Sequence, residues 1–326
     1  MGQHPISGLR FLDQLLNKEH GVYKQGHRHR DRPVKIISIG AILWDVFEDR
    51  EEIGGAPFNF AVNAARLGHE VLFISGVGED ARGHRALERM VQFGLSTRFV
   101  RRTAEAPTGT VEVKVDAAGQ PRFKIIRPAA YDLVYLTQAN LDEISAFRPD
   151  WIYFGTLEQL SHAVWEATQK LMTLHPDARR LYDINLRVDS YNRVLVRSLM
   201  RKTTILKINE QEAQMVQKLF DEKPGSIEGF CREYAGRFSW DGVCVTRGAS
   251  GCALYLWGDY LEVPGCPVQV VDTVGAGDAF AAAFLHGLGQ KWPLDRTGAF
   301  ANRLGALVAS RPGALPAWKP EEVEGG

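Results

Sequence analysis

The chain has no excess of charge of either sign, because 39 Lys and Arg residues balance 39 Asp and Glu residues. A protein without a basic excess has no electrostatic reason to bind nucleic acid or an anionic membrane surface. The sequence also lacks any apolar run near the ~20 residues that a membrane-spanning helix needs. We therefore expect a protein that binds neither nucleic acid nor a membrane.

Cysteine is scarce and unpatterned. The four cysteines are Cys231, Cys244, Cys252 and Cys266, and none has the spacing of a Cys-x-x-Cys pair or of a zinc site. The first residues lack the apolar segment of a secretory signal. Reduced thiols in a cytoplasmic protein are the simplest interpretation, so we expect a cytoplasmic location.

Several catalytic loops are also missing. There is no Gly-x4-Gly-Lys-Ser/Thr loop, and Gly76-Val-Gly78 lacks the third glycine of a dinucleotide fingerprint. There is no Gly-x-Ser-x-Gly elbow and no His-Glu-x-x-His pair. These absences argue against P-loop enzymes, dinucleotide-binding enzymes, α/β-hydrolases and zinc metalloproteases of that type.

What the sequence does contain, from residue 34 onward, is an alternation of short β-branched runs with helix-like segments. The runs are 34–39, 71–74, 151–154, 181–184, 204–208 and 243–245, and helical patterns include 58–67, 84–93, 162–174 and 210–219. This alternation predicts an α/β fold in three layers, with a mainly parallel sheet covered by helices on both faces. We assign this domain to residues 34–320.

Residues 98–127 follow a different pattern. Two arms of alternating polarity, 109–116 and 122–126, predict a β-hairpin with one buried face. No helix follows the first arm, so we interpret 98–127 as a small antiparallel β lid inserted into the α/β domain. An edge hairpin without function is the alternative. Residues 1–33 form a separate extension, in which His27 and His29 fit a solvated linker better than a metal site.

The most informative stretch runs from Asp272 to Asp278, directly before the apolar run 279–288. Gly275, Ala276 and Gly277 predict a tight turn that opens a helix, where unpaired N–H groups and the helix dipole attract an anion. Asp278 would repel a bound phosphate unless it accepts a proton from a hydroxyl that attacks that phosphate. A cradle and a base together fit phosphoryl transfer, whereas a helix with an ordinary N-terminal Asp is the alternative.

Polar residues follow the predicted strands at their carboxyl ends, where open α/β sheets bind ligands. A helix N-cap explains any one of them but explains the whole set less well. Two glycine-bearing turns, 54–59 and 246–251, would let backbone approach a ligand. The polar residues are Asp45, then Asp183, Asn185 and Arg187, then Asn209, Glu210 and Glu212, and finally Thr246 and Arg247.

Two of these motifs together resemble the signatures of the ribokinase-like carbohydrate kinases, also called the phosphofructokinase B family. Residues 54–61 through 76–80 are similar to the N-terminal signature of that family, and residues 272–280 to its C-terminal signature. The resemblance extends from about residue 34 to residue 317. It implies a ribokinase-like fold and an ATP-dependent sugar kinase that uses Mg²⁺.

The resemblance also implies a role for each matching position. Asp278 is the implied catalytic base, and the amides of Gly275, Ala276 and Gly277 are the implied anion hole. Implied sugar contacts are Asp45, Gly54, Gly55 and Asn59. Implied ATP contacts are Asn185, Asn209, Thr246, Gly248, Gly251, Thr273 and Asn302. Asn209 and Glu212 match the magnesium–phosphate network, in which water usually holds the ion. Asp272, Val308 and Gly313 match a monovalent cation site, possible for K⁺, although Ala317 replaces a serine there.

The first signature, Gly-Gly-Ala-Pro-Phe-Asn, is similar to that of fructokinases and of 2-keto-3-deoxygluconate kinases. Residues 40–45 and 128–132 are more similar to fructokinases. An acidic substrate would need cations, which Arg127 and Arg187 could supply. We therefore expect fructose or a similar ketose, with the keto-acid, ribose or a nucleoside as alternatives and a non-catalytic sugar or nucleotide sensor as a further one. In the family that this chain resembles, paired lids often form a dimer, so we expect a homodimer.

Overall fold

The main sheet has nine strands, and its order realises the predicted alternation of strands and helices. The computed structural model describes residues 32–115, 121–187 and 190–324, so most of the extension 1–33 and the hairpin turn 117–120 lie outside the described residues. The strands of this sheet are β1 (Lys35–Ile39), β4 (Glu70–Gly78), β5 (Val100–Thr103), β8 (Trp151–Phe154), β9 (Arg179–Asp183), β10 (Ile205–Asn209), β11 (Gly242–Thr246), β12 (Cys252–Leu256) and β13 (Asp259–Val263).

These strands lie in the order β13-β12-β11-β10-β9-β8-β1-β4-β5. All neighbouring pairs from β11 to β5 are parallel. At the other end, β12 and β13 add two antiparallel strands. The carboxyl ends of the parallel strands therefore meet at one edge of the sheet, where the polar residues of the sequence were predicted to gather.

Helices cover both faces of this sheet, which confirms the predicted three layers. One hydrophobic core contains buried residues of the five helices between residues 138 and 238. A second core, on the opposite face, contains residues of the helix at 56–66 and of the three helices between residues 276 and 324. No helix of the described residues is long and apolar enough to cross a membrane. The helices are α1 (Ala56–Arg66), α2 (Ala81–Gln92), α3 (Gln138–Phe147), α4 (His162–Leu174), α5 (Arg193–Met200), α6 (Glu210–Leu219), α7 (Ile227–Phe238), α8 (Ala276–Gly289), α9 (Leu294–Ala309) and α10 (Pro320–Glu324).

A second, smaller sheet is made of two hairpins. Its strands are β2 (Leu43–Val46), β3 (Glu51–Gly54), β6 (Gly109–Val115) and β7 (Pro121–Ile126), and they lie in the order β3-β2-β6-β7. The predicted β6–β7 hairpin is confirmed, and the two hairpins join through a parallel pairing of β2 with β6.

The range 98–127 differs from the small sheet of the structure in two ways. Strand β5 belongs to the main sheet, where it pairs with β4. Half of the small sheet comes instead from β2 and β3, far earlier in the chain. Strand β5 lies at the edge of the main sheet and leaves its two central arginines partly or fully exposed, so its polar Val-Arg-Arg-Thr sequence could not be told from that of a hairpin arm.

The register of the small sheet decides which side chains share a face. Asp45 is paired with Glu52 on one side and with Val111 on the other. Because side chains alternate along a strand, these three lie on one face, and Trp44 lies on the opposite face. The Trp44 indole packs beside α2 and donates a 3.1 Å hydrogen bond to the Arg82 carbonyl. The packing of Trp44 thus fixes the face on which Asp45 is presented.

Candidate active site

Helix α8 begins in the geometry predicted for an anion cradle. Gly275 precedes the helix with a φ of +78°, and a Cβ there would lie 2.3 Å from the Ala314 carbonyl oxygen. Only glycine fits at this position. Gly277 is exposed, so the first turn of the helix is open to solvent. The Ala276 amide donates to the Thr273 carbonyl at 3.3 Å. The other amides at the start of a helix have no acceptor within it and are available to an anion.

Asp278 lies in this first turn but is buried, with 9% of its surface exposed. Its Oδ2 accepts a 2.8 Å hydrogen bond from Nδ2 of Asn59. Burial, followed by the nearby charge of Asp183, raises the pKa of Asp278 to about 7, against the opposing effects of Asn59, Lys207 and Arg187. A carboxylate whose pKa lies near neutral pH is suited to act as a general base.

Asn59 reaches Asp278 from helix α1. Gly55 caps this helix with a φ of +111°, and a Cβ there would lie 2.4 Å from the Ala41 carbonyl oxygen. Close packing of backbone against backbone therefore explains Gly55. The Oδ1 atom of Asn59 is buried and has no hydrogen-bond partner among the described residues. Since buried polar atoms are normally satisfied, a donor such as a ligand hydroxyl is expected beside the base.

Asp45 brings a second perturbed carboxylate to this region. Burial, with the charges of Glu52 and Asp272 adding and Arg187 opposing, raises the pKa of Asp45 to about 6. A Cβ on Gly54 would lie only 3.0 Å from Oδ2 of Asp45, so Gly54 leaves room for this carboxylate. The electrostatic influence of Arg187 on both Asp45 and Asp278 places all three in one neighbourhood.

Arg127, in contrast, is engaged within the protein. Its Nε and Nη2 atoms donate to the two carboxylate oxygens of Asp132 at 3.1 and 2.6 Å. Its Nη1 atom donates to the Leu157 carbonyl at 2.7 Å. Asp132 is buried, so its charge compensates that of Arg127 inside the fold. Of the two arginines predicted to meet an acidic substrate, Arg187 is the exposed one.

Asn209 and Glu212 form a capping box at the start of α6. The Oδ1 atom of Asn209 accepts from the Glu212 amide at 2.8 Å, and Oε2 of Glu212 accepts from the Asn209 amide at 2.9 Å. The other carboxylate oxygen accepts from the Leu186 amide at 2.8 Å. Glu212 therefore anchors the loop that carries Asn185, whose φ is +39°, and Arg187.

This arrangement limits how Glu212 could act on a metal ion. Both of its oxygens already accept backbone amides, and burial raises its pKa. These bonds fit an indirect role, through water, better than direct ligation. In the ranges 32–115, 121–187 and 190–324, no group of three or more His, Cys, Asp and Glu side chains could hold a metal ion.

Two of the predicted ATP residues meet at the end of β13. Gly251 has a φ of +88°, and a Cβ there would lie 2.1 Å from the Val263 carbonyl oxygen. Asn302 donates from Nδ2 to the carbonyls of Val263 and Pro264, at 3.3 and 2.9 Å. Gly248 also has a positive φ, +56°, but a Cβ there would meet open space. Gly251 and Asn302 thus fix the conformation of the loop at the end of β13, and Gly248 leaves the surface of the turn 246–251 accessible.

The segment between this loop and the cradle exposes apolar side chains. Val268, Val270 and Val271 are 39%, 59% and 59% exposed. They lie between Thr246, which ends β11, and Thr273, which is exposed just before the cradle. This segment offers an apolar surface next to the turns that were predicted to hold phosphates.

The residues predicted to bind a monovalent cation lie near one another. The Asp272 carboxylate accepts from the amides of Val274 and Gly313, at 2.9 and 3.1 Å. The Val308 carbonyl accepts from the Arg311 amide at 3.1 Å. These hydrogen bonds from backbone amides give Asp272 and Gly313 a structural role without a cation. The cation site therefore stays a prediction.

One charged cluster beside Asp278 was not predicted from the sequence. Lys207 is buried in β10, and its Nζ donates to both oxygens of Asp183, at 3.0 and 2.9 Å. The Tyr153 hydroxyl donates to Oδ2 of the same carboxylate at 2.9 Å. The available signal was a lysine in the middle of an otherwise apolar strand, Ile-Leu-Lys-Ile, because a buried lysine requires an acidic partner.

The chain is similar to a known family of proteins over most of its length. The family described as "pfkB family carbohydrate kinase" matches residues 35–320. A fructokinase of Klebsiella pneumoniae is 30% identical over 302 residues, which cover 87% of this chain and 95% of that protein. Fructokinase-1 of Oryza sativa is 30% identical over 285 residues, covering 83% and 86% of the two chains. The crystal structure of a fructokinase from Xylella fastidiosa with bound ATP superposes with a TM-score of 0.79 at 24% identity, covering 89% and 97%.

Proposed function

This chain belongs to the pfkB family of carbohydrate kinases, and from that membership we propose that it transfers the γ-phosphate of ATP to a hydroxyl of a neutral ketose, fructose above all. The observation that carries this proposal is the contact between Asn59 and Asp278 at the mouth of the α8 cradle. One side of the Asn59 amide holds the base, and the other side has an unfilled acceptor for a sugar hydroxyl.

The reaction follows from these positions. Asp278 accepts the proton of the sugar hydroxyl, whose oxygen forms a new bond to the γ-phosphorus of ATP. The bond between that phosphorus and the β–γ bridging oxygen breaks, and its electron pair leaves with ADP. The first-turn amides at 275–277 stabilise the charge on the transferred phosphoryl group. Burial of Asp278 keeps its pKa near neutrality, so that it is basic enough to take the proton and still partly ionised at pH 7.

The preference for a neutral sugar rests on the two arginines. An acidic substrate needs a cation in the pocket, and Arg127 is already paired with the buried Asp132 carboxylate and bonded to the Leu157 carbonyl. Asp45 instead offers a carboxylate that accepts hydrogen bonds from hydroxyls. Arg187 is exposed and lies near Asp45 and Asp278, so 2-keto-3-deoxygluconate is the second candidate substrate.

We assign ATP to the loop around Gly248 and Gly251, the apolar segment 268–271 and the cradle. The exposed valines would cover an aromatic base, and the turn amides would meet phosphates. A Mg²⁺ ion would neutralise phosphate charge, with Asn209 and Glu212 acting through water. We also assign a K⁺ ion to residues 272, 308 and 313. Measuring activity at increasing potassium concentration tests this assignment.

We also propose a homodimer that forms through the small sheet. Strand β7 is an edge strand, and Phe123 on it is 52% exposed. An unpaired edge beside an exposed aromatic ring suits pairing with a second copy. Light scattering at micromolar concentration tests this, and a fully active monomer would count against it. The four free cysteines support a cytoplasmic location.

The deciding experiment is a coupled assay of ADP release with ATP and Mg²⁺ across a panel of sugars. We expect the highest kcat/KM on fructose, lower values on ribose, and little activity on 2-keto-3-deoxygluconate. A preference for the keto-acid that Arg187→Ala abolishes would replace the ketose with the acidic substrate. No turnover on any sugar would favour a non-catalytic sugar or nucleotide sensor.

A further inference from the structure

A buried ionic cluster lies beneath the cradle and has no part in the mechanism above. Lys207 and Asp183 are direct partners across the parallel strands β10 and β9. Their side chains are only 9% and 3% exposed, and Nζ contacts both carboxylate oxygens. Tyr153, on β8, completes the cluster through its hydroxyl and stacks its ring on Phe60 of α1 at a centroid distance of 3.7 Å.

A buried ion pair of this kind does not in general stabilise a fold. Burying two charges carries a large desolvation penalty, and well-packed apolar residues of similar size are often at least as stable. On the same face of the sheet, the side chains beside the pair are apolar or weakly polar, including Leu181, Ile205 and Cys244. A reason for keeping a lysine and an aspartate here must therefore come from something nearby.

What lies nearby is the first turn of α8. A Cβ on Gly277 would be 3.6 Å from Nζ of Lys207, so the ammonium group sits directly against the cradle. An ammonium has three donors, and Asp183 takes two of them. In the described part of the chain, Lys207 makes no other hydrogen bond. One donor of a nearly buried cation thus remains at the place where the phosphoryl group was assigned.

The charges around the base can be named element by element. Asp278 faces Asp183 from β9, Lys207 from β10, Asn59 from α1 and Arg187 from the loop after β9. Lys207 faces Asp183, Asp278 and Glu212. Asp183 makes ionisation of Asp278 harder, and Lys207 makes it easier. Lys207 therefore offsets the charge of its own partner at the position of the base.

We infer that Lys207 is a positioning residue for phosphoryl transfer, which holds Asp183 and places a compensating positive charge beneath the cradle, beside Asp278. This role rests on the proposed function, in which Asp278 is the base. It acts through Asp278, so its removal should change the pH dependence and kcat rather than KM for the sugar.

The first test compares Lys207→Met with wild type over a range of pH. Loss of the compensating charge should move the acid limb of kcat/KM upward by about one unit, and kcat at pH 7 should fall roughly tenfold or more. The matched control is Lys170→Met, which removes an exposed lysine of α4 that forms an ion pair with Glu166 and should leave the profile unchanged. A folded Lys207→Met protein with an unshifted acid limb would overturn the inference.

The second test uses the double variant Lys207→Met/Asp183→Asn, which removes both charges and spares the fold an unpaired buried aspartate. Asp183 raises the pKa of Asp278 more than Lys207 lowers it. The acid limb of the double variant should therefore return to the wild-type position or lie below it. A merely structural role for the pair predicts that both variants lose stability and that neither moves the limb.

A readout without turnover separates failure of this inference from failure of the proposed function. In protein labelled with ¹³Cγ-aspartate, and assigned with Asp278→Asn, NMR follows the titration of Asp278 directly. We expect the same upward shift in Lys207→Met and the same reversal in the double variant, even if wild type phosphorylates none of the sugars. Identical Asp278 titration curves in all three proteins would refute the role of Lys207 independently of the substrate.

Discussion

The hydrogen bond from Asn59 to Asp278 makes a quantitative prediction about pH. Nδ2 of Asn59 lies 2.8 Å from Oδ2 of Asp278. This contact opposes the effect of burial, and the net pKa of Asp278 is about 7. A hydrogen bond to a charged group contributes about 1.5–3 kcal/mol. Because one pKa unit corresponds to about 1.4 kcal/mol, Asn59→Ala should move the pKa of Asp278 up by roughly one to two units.

The effect on activity follows from the ionised fraction of the base. About half of Asp278 is ionised at pH 7 in wild type, against roughly 1–10% after a shift of one to two units. The value of kcat/KM at pH 7 should then fall about 5- to 50-fold from this cause alone, and much of the loss should be recovered near pH 9. Any sugar contact made by Oδ1 would add a loss that does not depend on pH.

The assay is the pH profile of kcat/KM, measured by ADP release, for wild type, Asn59→Ala and the control Asn63→Ala. Asn63 lies one turn further along α1 and bonds to the Asn59 carbonyl and to Trp318, not to Asp278. Its variant should lose stability but keep the acid limb. If Asn59→Ala loses activity equally at every pH, Asn59 does not tune the base and the argument is wrong.

Three further predictions concern the base, the substrate side and the loop anchor. Asp278→Asn should reduce turnover by roughly 10²–10⁴ while ATP binding, by calorimetry, stays near wild type. The folded pKa of Asp278, about 7, exceeds its unfolded value, so the wild-type protein loses stability as pH rises from about 4 to 7. Asp278→Asn avoids this loss and should be more stable than wild type at pH 8, by roughly 2–4 kcal/mol in denaturant unfolding. On fructose, Asp45→Ala should lower kcat/KM roughly 10- to 150-fold and Arg127→Ala only a few-fold; the reverse order in the sugar assay would favour an acidic substrate. In Glu212→Gln the side chain cannot accept hydrogen bonds from both backbone amides, so the free energy of unfolding should fall by about 1–3 kcal/mol. The Mg²⁺ concentration for half-maximal activity should also rise. If only stability changes, Glu212 acts solely as a helix cap.

The parts of the fold that the sequence predicted well are those with a local signal. The central strands are β-branched runs buried on both faces, and α4 and α6 lie where the periodicity placed them. Strands β2 and β3 gave no such signal, because each has four residues and the pair becomes a sheet only by joining β6, more than 50 positions later. The same non-local pairing explains why the boundary of the small sheet was predicted wrongly.

The site divides in a similar way. The cradle glycines and Asp278 share one short motif, so their geometry could be predicted from the turn chemistry of that motif. The pairing of Arg127 with Asp132 depends on how one turn folds back, and the pairing of Lys207 with Asp183 depends on strand register. Neither partner can be chosen from composition or spacing alone, which is why Arg127 was predicted as a substrate contact and Lys207 was not singled out.

The bond between Asn59 and Asp278 joins residues that are 219 positions apart, and this separation has a consequence for biosynthesis. The ribosome releases Asp45 and Asn59, which we assign to the sugar, long before it releases Asp278 and the cradle, which we assign to phosphoryl transfer. A nascent or truncated chain that ends before residue 272 would contain acceptor groups without any means of transferring a phosphate. On the proposed assignment of Asp278 as the base, catalytic competence therefore arises in a single step, when the last fifth of the chain folds against the first.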